Sequence, residues 1–282
     1  MALNSVVPRN PSEEMERACR RPWEGYLPPI RMAAGVYYVS GNDWVGSYLL
    51  ETEEGCVLID TAMHETVYLL LENLRQLGHK PTDIKKILIS HAHIDHMGGA
   101  KALQELTGAA MYIGERDMLF LRDRPELLFN EGGKYTCSTF TPDAFYSDDQ
   151  PIRLGSLSIR TLATPGHTPG CTSFFFDVRD VDGQTRRCAM HGGVGQNTMT
   201  KEYFRTSGLP PSLREEFMDG CRMLDTLDVD ICLPSHTNQV GILKLRDKIT
   251  DTFNPYYDPA IWHELVRERL QRVRDLISAE RE

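Results

Sequence analysis

No stretch of this 282-residue chain reaches the ~18 consecutive apolar residues that a bilayer-spanning helix needs, so no membrane association is expected. A surplus of positive charge is missing too: 31 Lys and Arg against 40 Asp and Glu leave a formal net charge of -9. The summed field of such a chain repels phosphate backbones, which counts against a nucleic acid as partner. Cysteines at metal or redox spacing are also lacking. The seven present (Cys19, Cys56, Cys137, Cys171, Cys188, Cys221 and Cys232) are odd in number, scattered, and never form C-x-x-C. They read as reduced, mostly structural thiols. Residues 1–8 run straight into Glu13, Glu14 and Glu16 without the apolar core of about 7–15 residues that export requires, and a cytoplasmic location is the expectation.

What the chain does have is ordinary globular material, 41% hydrophobic and 25% charged, enough to bury a substantial core. Residues 1–30 are rich in Pro, Arg and Glu and show neither helical nor strand period, which predicts an arm lying over one domain that spans 31–282. Beyond Gly35, Val36-Tyr37-Tyr38-Val39, Ser47-Tyr48-Leu49-Leu50 and Cys56-Val57-Leu58-Ile59 are short β-rich runs between turn residues, an antiparallel meander. Val67, Leu70, Leu71, Leu74 and Leu77 then recur at spacings of three and four, the mark of an amphipathic helix over 64–78 that Gly78 stops. A strand over 84–90, a second helix after Gly98-Gly99 and a strand over 109–113 complete an α/β arrangement. The second half repeats it, with strands near 151–163, 172–178, 186–191 and 229–233 and helices near 211–226 and 241–249. A long amphipathic helix from Pro259 closes the chain.

The chemistry concentrates in Ser90-His91-Ala92-His93-Ile94-Asp95-His96-Met97-Gly98-Gly99. Four side chains of ligand type fall within six residues, directly after an apolar strand, where keeping them unpaired is costly. Neutral imidazole and carboxylate are the donors that zinc takes. In backbone leaving a strand, alternate residues such as His91 and His93 face one side, and Asp95 and His96 turn toward a second position as a helix starts. One metal site closes at about four ligands, and a catalytic one keeps a position open. Two more candidates make the set too large for a single ion: His167 in the stiff turn Thr164-Pro165-Gly166-His167-Thr168-Pro169-Gly170, and His236 just past the strand Val229-Asp230-Ile231-Cys232-Leu233. The competing view is a set of solvated or capping histidines.

In this order, His91-Ala92-His93-Ile94-Asp95-His96, the turn Gly166-His167-Thr168-Pro169-Gly170 and the later strand-end histidine resemble the metallo-β-lactamase superfamily over roughly residues 35–245. The likeness is nearest to its third subclass, which holds metal with His and Asp alone. Val57-Leu58-Ile59-Asp60-Thr61 resembles the family's first motif, whose aspartate supports the ligands without binding metal. The resemblance implies a four-layer αββα sandwich and two Zn2+ per chain, one on His91, His93 and His167, the other on Asp95, His96 and His236. It also implies a hydrolase in which a hydroxide held by the metals attacks a carbonyl, with Asp95 orienting it and a cyclic amide as the nearest substrate class.

One segment departs from that pattern. Where many hydrolases of the superfamily carry a metal-bridging aspartate, and third-subclass lactamases carry Asp-Ser, this chain has His191-Gly192. An imidazole has one lone pair and cannot bridge as a carboxylate does. The change counts against lactone and thioester hydrolysis, and the loss of the serine counts against antibiotics. His191 is either a substrate-binding residue or a buried histidine with its hydrogen bonds met. The alternatives are an intracellular lactone, ester or thioester hydrolase of the same fold, and a non-catalytic metal-binding protein. The partner is a small molecule with a hydrolysable carbonyl. The region 119–146, with Glu131-Gly132-Gly133-Lys134-Tyr135, either borders the cleft or is plain surface loop.

Overall fold

The computed structural model describes residues 13–129 and 135–281. After helix α1 (Glu13–Arg20), the expected meander is built from β1 (Ile30–Ala33), β2 (Val36–Tyr38), β3 (Tyr48–Thr52) and β4 (Gly55–Ile59), all antiparallel. Helix α2 (Val67–Gln76) crosses to β5 (Ile84–Leu88), parallel to β4; α3 (Ile94–Met97) and α4 (Ala100–Thr107) lead to β6 (Ala110–Ile113), parallel to β5. With β7 (Ala144–Phe145) they form a seven-stranded sheet in chain order. The second sheet runs antiparallel through β8 (Ile152–Leu154), β9 (Leu157–Ala163), β10 (Thr172–Arg179) and β11 (Thr185–Met190). Helices α5 (Lys201–Ser207) and α6 (Leu213–Leu224) precede β12 (Ile231–Cys232), which pairs parallel to β11, and α7 (Pro259–Ala279) closes the chain. Asp258 caps α7 by accepting from the Ala260 N–H, and Pro259 sits where a helix start tolerates it.

Alternation along the strands explains the layering. In β4, Val57 and Ile59 join Phe174, Phe176, Cys188 and Met190 of the other sheet in one apolar cluster, whereas Cys56 and Leu58 face Leu70, Leu74 and Leu103 of the helices. In β10, Phe175 points away from that inter-sheet core to Trp262 of α7, 5.5 Å between ring centroids. Strands covered on both faces read as unbroken apolar runs, which is why Cys56-Val57-Leu58-Ile59 shows no polar alternation. The result is the four-layer αββα sandwich, and the two sheets direct their loops toward a common edge.

Three local expectations change. Residues 1–30 carry a helix, α1, whose burial of only Met15 and Ala18 amid charges leaves too short a period to see in the sequence. Residues 151–163 are two strands, because Gly155 turns the chain at φ +52°. The stretch 241–249 forms two 3-10 turns, Ile242–Lys244 and Arg246–Lys248, in place of a helix. Gly241 enters it in the left-handed region at φ +66°, and the backbone bonds close after three residues. Residues 131–134 lie outside the described residues. Among those described, no helix is long and apolar enough to cross a membrane.

Candidate metal centre

The first cluster leaves β5 as expected. His91 lies three residues beyond Leu88, the end of the strand, His93 is extended at φ -105° and ψ 149°, and Asp95 and His96 ride the single turn of α3. His167 is carried by its Gly-Pro turn, closed by Thr164 N–H to Cys171 O at 2.8 Å and Gly166 N–H to Thr168 O at 3.0 Å. His236 is fixed by backbone pairing with the opposite sheet: Gly46 N–H donates to Ser235 O at 2.8 Å and Thr237 N–H to Trp44 O at 2.9 Å. The Tyr48 hydroxyl adds a bond to Pro234 O at 2.6 Å.

These loops bring all six candidates together as two trios. His93 Nδ1 lies 3.0 Å from His167 Nε2, and the nitrogens of His91, His93 and His167 fall within 4.8 Å of one another. In the second trio His96 Nε2 is 3.3 Å from His236 Nε2, His236 Nε2 is 3.4 Å from Asp95 Oδ2, and His96 Nε2 is 3.6 Å from Asp95 Oδ2. The rings of His91 and His96 are 4.1 Å apart, so the trios adjoin.

The outer nitrogens are held by groups that can only accept. His91 Nδ1–H donates to Gly192 O at 2.7 Å, His167 Nδ1–H to Gly195 O at 2.8 Å, and His96 Nδ1–H to Asp60 Oδ2 at 2.8 Å. Each bond fixes a tautomer that turns the Nε2 lone pair into the centre. The Nε2 of His91 is buried and, among the described residues, without a hydrogen-bond partner. A buried acceptor left open in a cage of imidazoles and a carboxylate suits a zinc ion, so the residues present fit the metal that the fold family implies. Burial, and then the neighbouring imidazoles, hold the His91 pKa well below its usual value and keep that lone pair available. Burial also opposes protonation of His96, but the carboxylates of Asp95 and Asp60 outweigh it and raise its pKa.

Asp60 occupies the supporting position that its motif implied. Fully buried at φ +57°, a strained conformation for a non-glycine residue, it accepts from Ser90 N–H and Ser90 Oγ–H, both at 2.7 Å, as well as from His96. A second support has no signal in the sequence. Asp117, buried beyond β6, accepts from Ala92 N–H at 2.8 Å, Thr168 Oγ–H at 2.7 Å and Gly170 N–H at 2.6 Å. One carboxylate thus ties the His91/His93 loop to the His167 turn. Burial pushes its carboxyl up to about 6, against three hydrogen bonds that favour the ionised form.

The glycines after β11 have a steric cause. A Cβ on Gly192 would lie 2.1 Å from Thr172 O, and one on Gly195 would lie 2.6 Å from the His167 ring. At Gly192, therefore, no side chain fits. His191 is buried behind this turn and is not among the residues lining the cleft. Its Nδ1 accepts from Gly193 N–H at 3.2 Å, which puts the proton on Nε2, and that buried N–H has no hydrogen-bond partner among the described residues. Burial, followed by the charge of Arg269, lowers its pKa to about 3.

That depression has a testable sign. As pH falls below about 6.5 the unfolded imidazole takes up a proton and the folded one does not, so stability present above 6.5 is lost progressively toward 3. His191→Asn retains an acceptor for Gly193 N–H and does not titrate. Urea denaturation should find the variant less stable at pH 8, with the gap to the wild type narrowing by about 2 kcal/mol at pH 5. A gap independent of pH would show that His191 titrates normally.

The trios open on a cleft of about 220 Å³. Phe129 stacks on His93 at 4.3 Å and 24°, and Trp44 lies 5.2 Å from His236, so an apolar ring stands at each end. Residues 45–182 match the Metallo-beta-lactamase superfamily. The chain belongs to the metallo-β-lactamase superfamily. Its similarity to the metallo-β-lactamase GOB-18 of Elizabethkingia meningoseptica covers 96% of this chain and 97% of that one, at 28% identity and a TM-score of 0.80. BJP-1, a subclass B3 metallo-β-lactamase of Bradyrhizobium japonicum, shares the fold at 24% identity and a TM-score of 0.80 over 92% of this chain and 97% of its own. A probable metallo-hydrolase of Burkholderia pseudomallei is 29% identical over 163 residues, 51% of this chain and 54% of that relative. The match thus spans about half the length of this curated relative. The chain thus has the metallo-β-lactamase fold that its ligand motif implied.

Proposed function

We propose that the chain is a dizinc hydrolase of small carbonyl compounds, with cyclic amides as the nearest substrate class. The observation that supports this reading is the pair of adjoining trios, His91/His93/His167 and Asp95/His96/His236, with His91 also within 4.8 Å of Asp95 and His96. When bound, two zinc ions polarise a carbonyl oxygen and bring the pKa of a water from 15.7 toward ~7. The chain's own residues do the rest. Asp95, whose carboxylate belongs to its trio, also orients the attacking water. Gly192 O, Gly195 O and Asp60 hold three imidazoles in fixed tautomers, so the site needs no rearrangement during reaction. Phe129 and Trp44 wall off the ends and limit competing water.

A panel of a chromogenic cephalosporin, acyl-homoserine lactones, thioesters and simple esters tests this. Turnover of at least one, abolished by chelation and restored by Zn2+, is the expected result. Two bound zinc ions without turnover of any of them would favour a non-catalytic metal-binding protein.

A further inference from the structure

Apart from imidazoles, the described residues lining the cleft include one cationic side chain, Arg269 of α7. Its side chain is only 14% exposed. Its Nε lies 3.0 Å from Glu268 Oε2, but the other Glu268 oxygen is taken by Arg272, so one carboxylate serves two guanidiniums. Its Nε is buried and, among the described residues, makes no hydrogen bond of good geometry. Burial lowers its pKa, and the shared carboxylate does not fully offset the cost. A largely buried guanidinium that shares its one carboxylate with a second arginine matches a planar oxyanion, above all a carboxylate.

Two further observations point the same way. On the lip of the cleft Gly193 and Gly195 carry no side chain, steric closeness keeps them so, and Val194 between them is apolar. Arg269, Asn238 and Gln239 also line an adjoining cavity of about 380 Å³, whose walls include Ile261, Leu265 and the ion-paired Glu268 and Arg272, so the cleft continues along α7. We propose that Arg269 determines specificity by binding a carboxylate on a substrate whose reacting carbonyl sits at the trios and whose body passes over Asn238 and Gln239. This rests on the carbonyl-hydrolase reading and names its substrate class: carbonyl compounds that bear a separate carboxylate.

The test is a binding titration of the zinc-loaded full chain with ω-mercapto acids, from mercaptoacetate to 6-mercaptohexanoate, each against the mercapto alcohol of equal length. The thiol anchors both members of a pair, and only the far group differs. At one or more lengths the acid should bind about tenfold more tightly than the alcohol. Arg269→Gln should abolish that preference and leave alcohol binding unchanged, which also shows that the variant folds and holds metal. Arg267→Gln makes the same charge change on an exposed arginine of α7 paired with Asp225, and it should keep the preference. If Arg269→Gln loses alcohol binding, Arg269→Lys takes its place and should retain part of the preference. A preference that survives in Arg269→Gln, or a wild type with none at any length, overturns the proposal. A chain that shows the preference yet hydrolyses no carbonyl compound would sink the hydrolytic reading and leave the carboxylate site standing.

Discussion

Replacing Asp117 with alanine should destabilise the protein by about 3–5 kcal/mol and weaken zinc binding roughly 10–100-fold, although the residue touches none of the six proposed ligands. Its carboxylate accepts from Ala92, Thr168 and Gly170 in a fully buried site, so truncation strands three donors at once. The same three donors lie in the loops that carry His91, His93 and His167, and without their common acceptor each loop is free to shift. Asp117→Asn should fall between the two. Its oxygen can serve Ala92 and Thr168 on one side, but its amide then faces the Gly170 N–H, donor against donor. Denaturation midpoints, with zinc competition against a chromophoric chelator, measure both effects. A variant that loses stability but binds zinc as before would show that Asp117 supports the fold without setting the site.

The other large effect separates the trios. His167→Ala and His236→Ala each remove one ligand, from opposite halves of the centre, and each should leave about one zinc equivalent tightly bound. Activity on any substrate found for the wild type should fall by about 10²–10³-fold in both, since loss of either ion removes carbonyl polarisation or leaving-group stabilisation. His236 depends on backbone pairing to Trp44 and Gly46 and His167 on its own turn, so neither change unfolds the other trio. Equal losses of both ions in either variant would mean that the two positions bind as one unit.

Much of this was readable beforehand, for physical reasons that differ by residue. His91, His93, Asp95 and His96 announce themselves because four ligand-type side chains beyond an apolar strand have no cheap structural use. His167 and His236 follow because Gly-Pro stiffness and strand-end position mark loops built to hold a side chain. The inner strands are legible as apolar runs, since both faces are covered. Hidden were the contributions that depend on three-dimensional closure. Asp117 is one acid among forty, and its three partners come from segments 25 and about 50 residues away. The carbonyls of Gly192 and Gly195 have no side-chain identity to notice, and the steric reason for their glycines appears only when β10 and the His167 ring lie against them. Trp44 and Phe129 could have been placed anywhere in the core.

Counting zinc decides the matter most directly. The purified chain, stripped with chelator, reloaded and dialysed against metal-free buffer, should retain two zinc ions per chain by elemental analysis, and His167→Ala and His236→Ala one each. A wild type that holds a single ion, or none, contradicts the two-trio account.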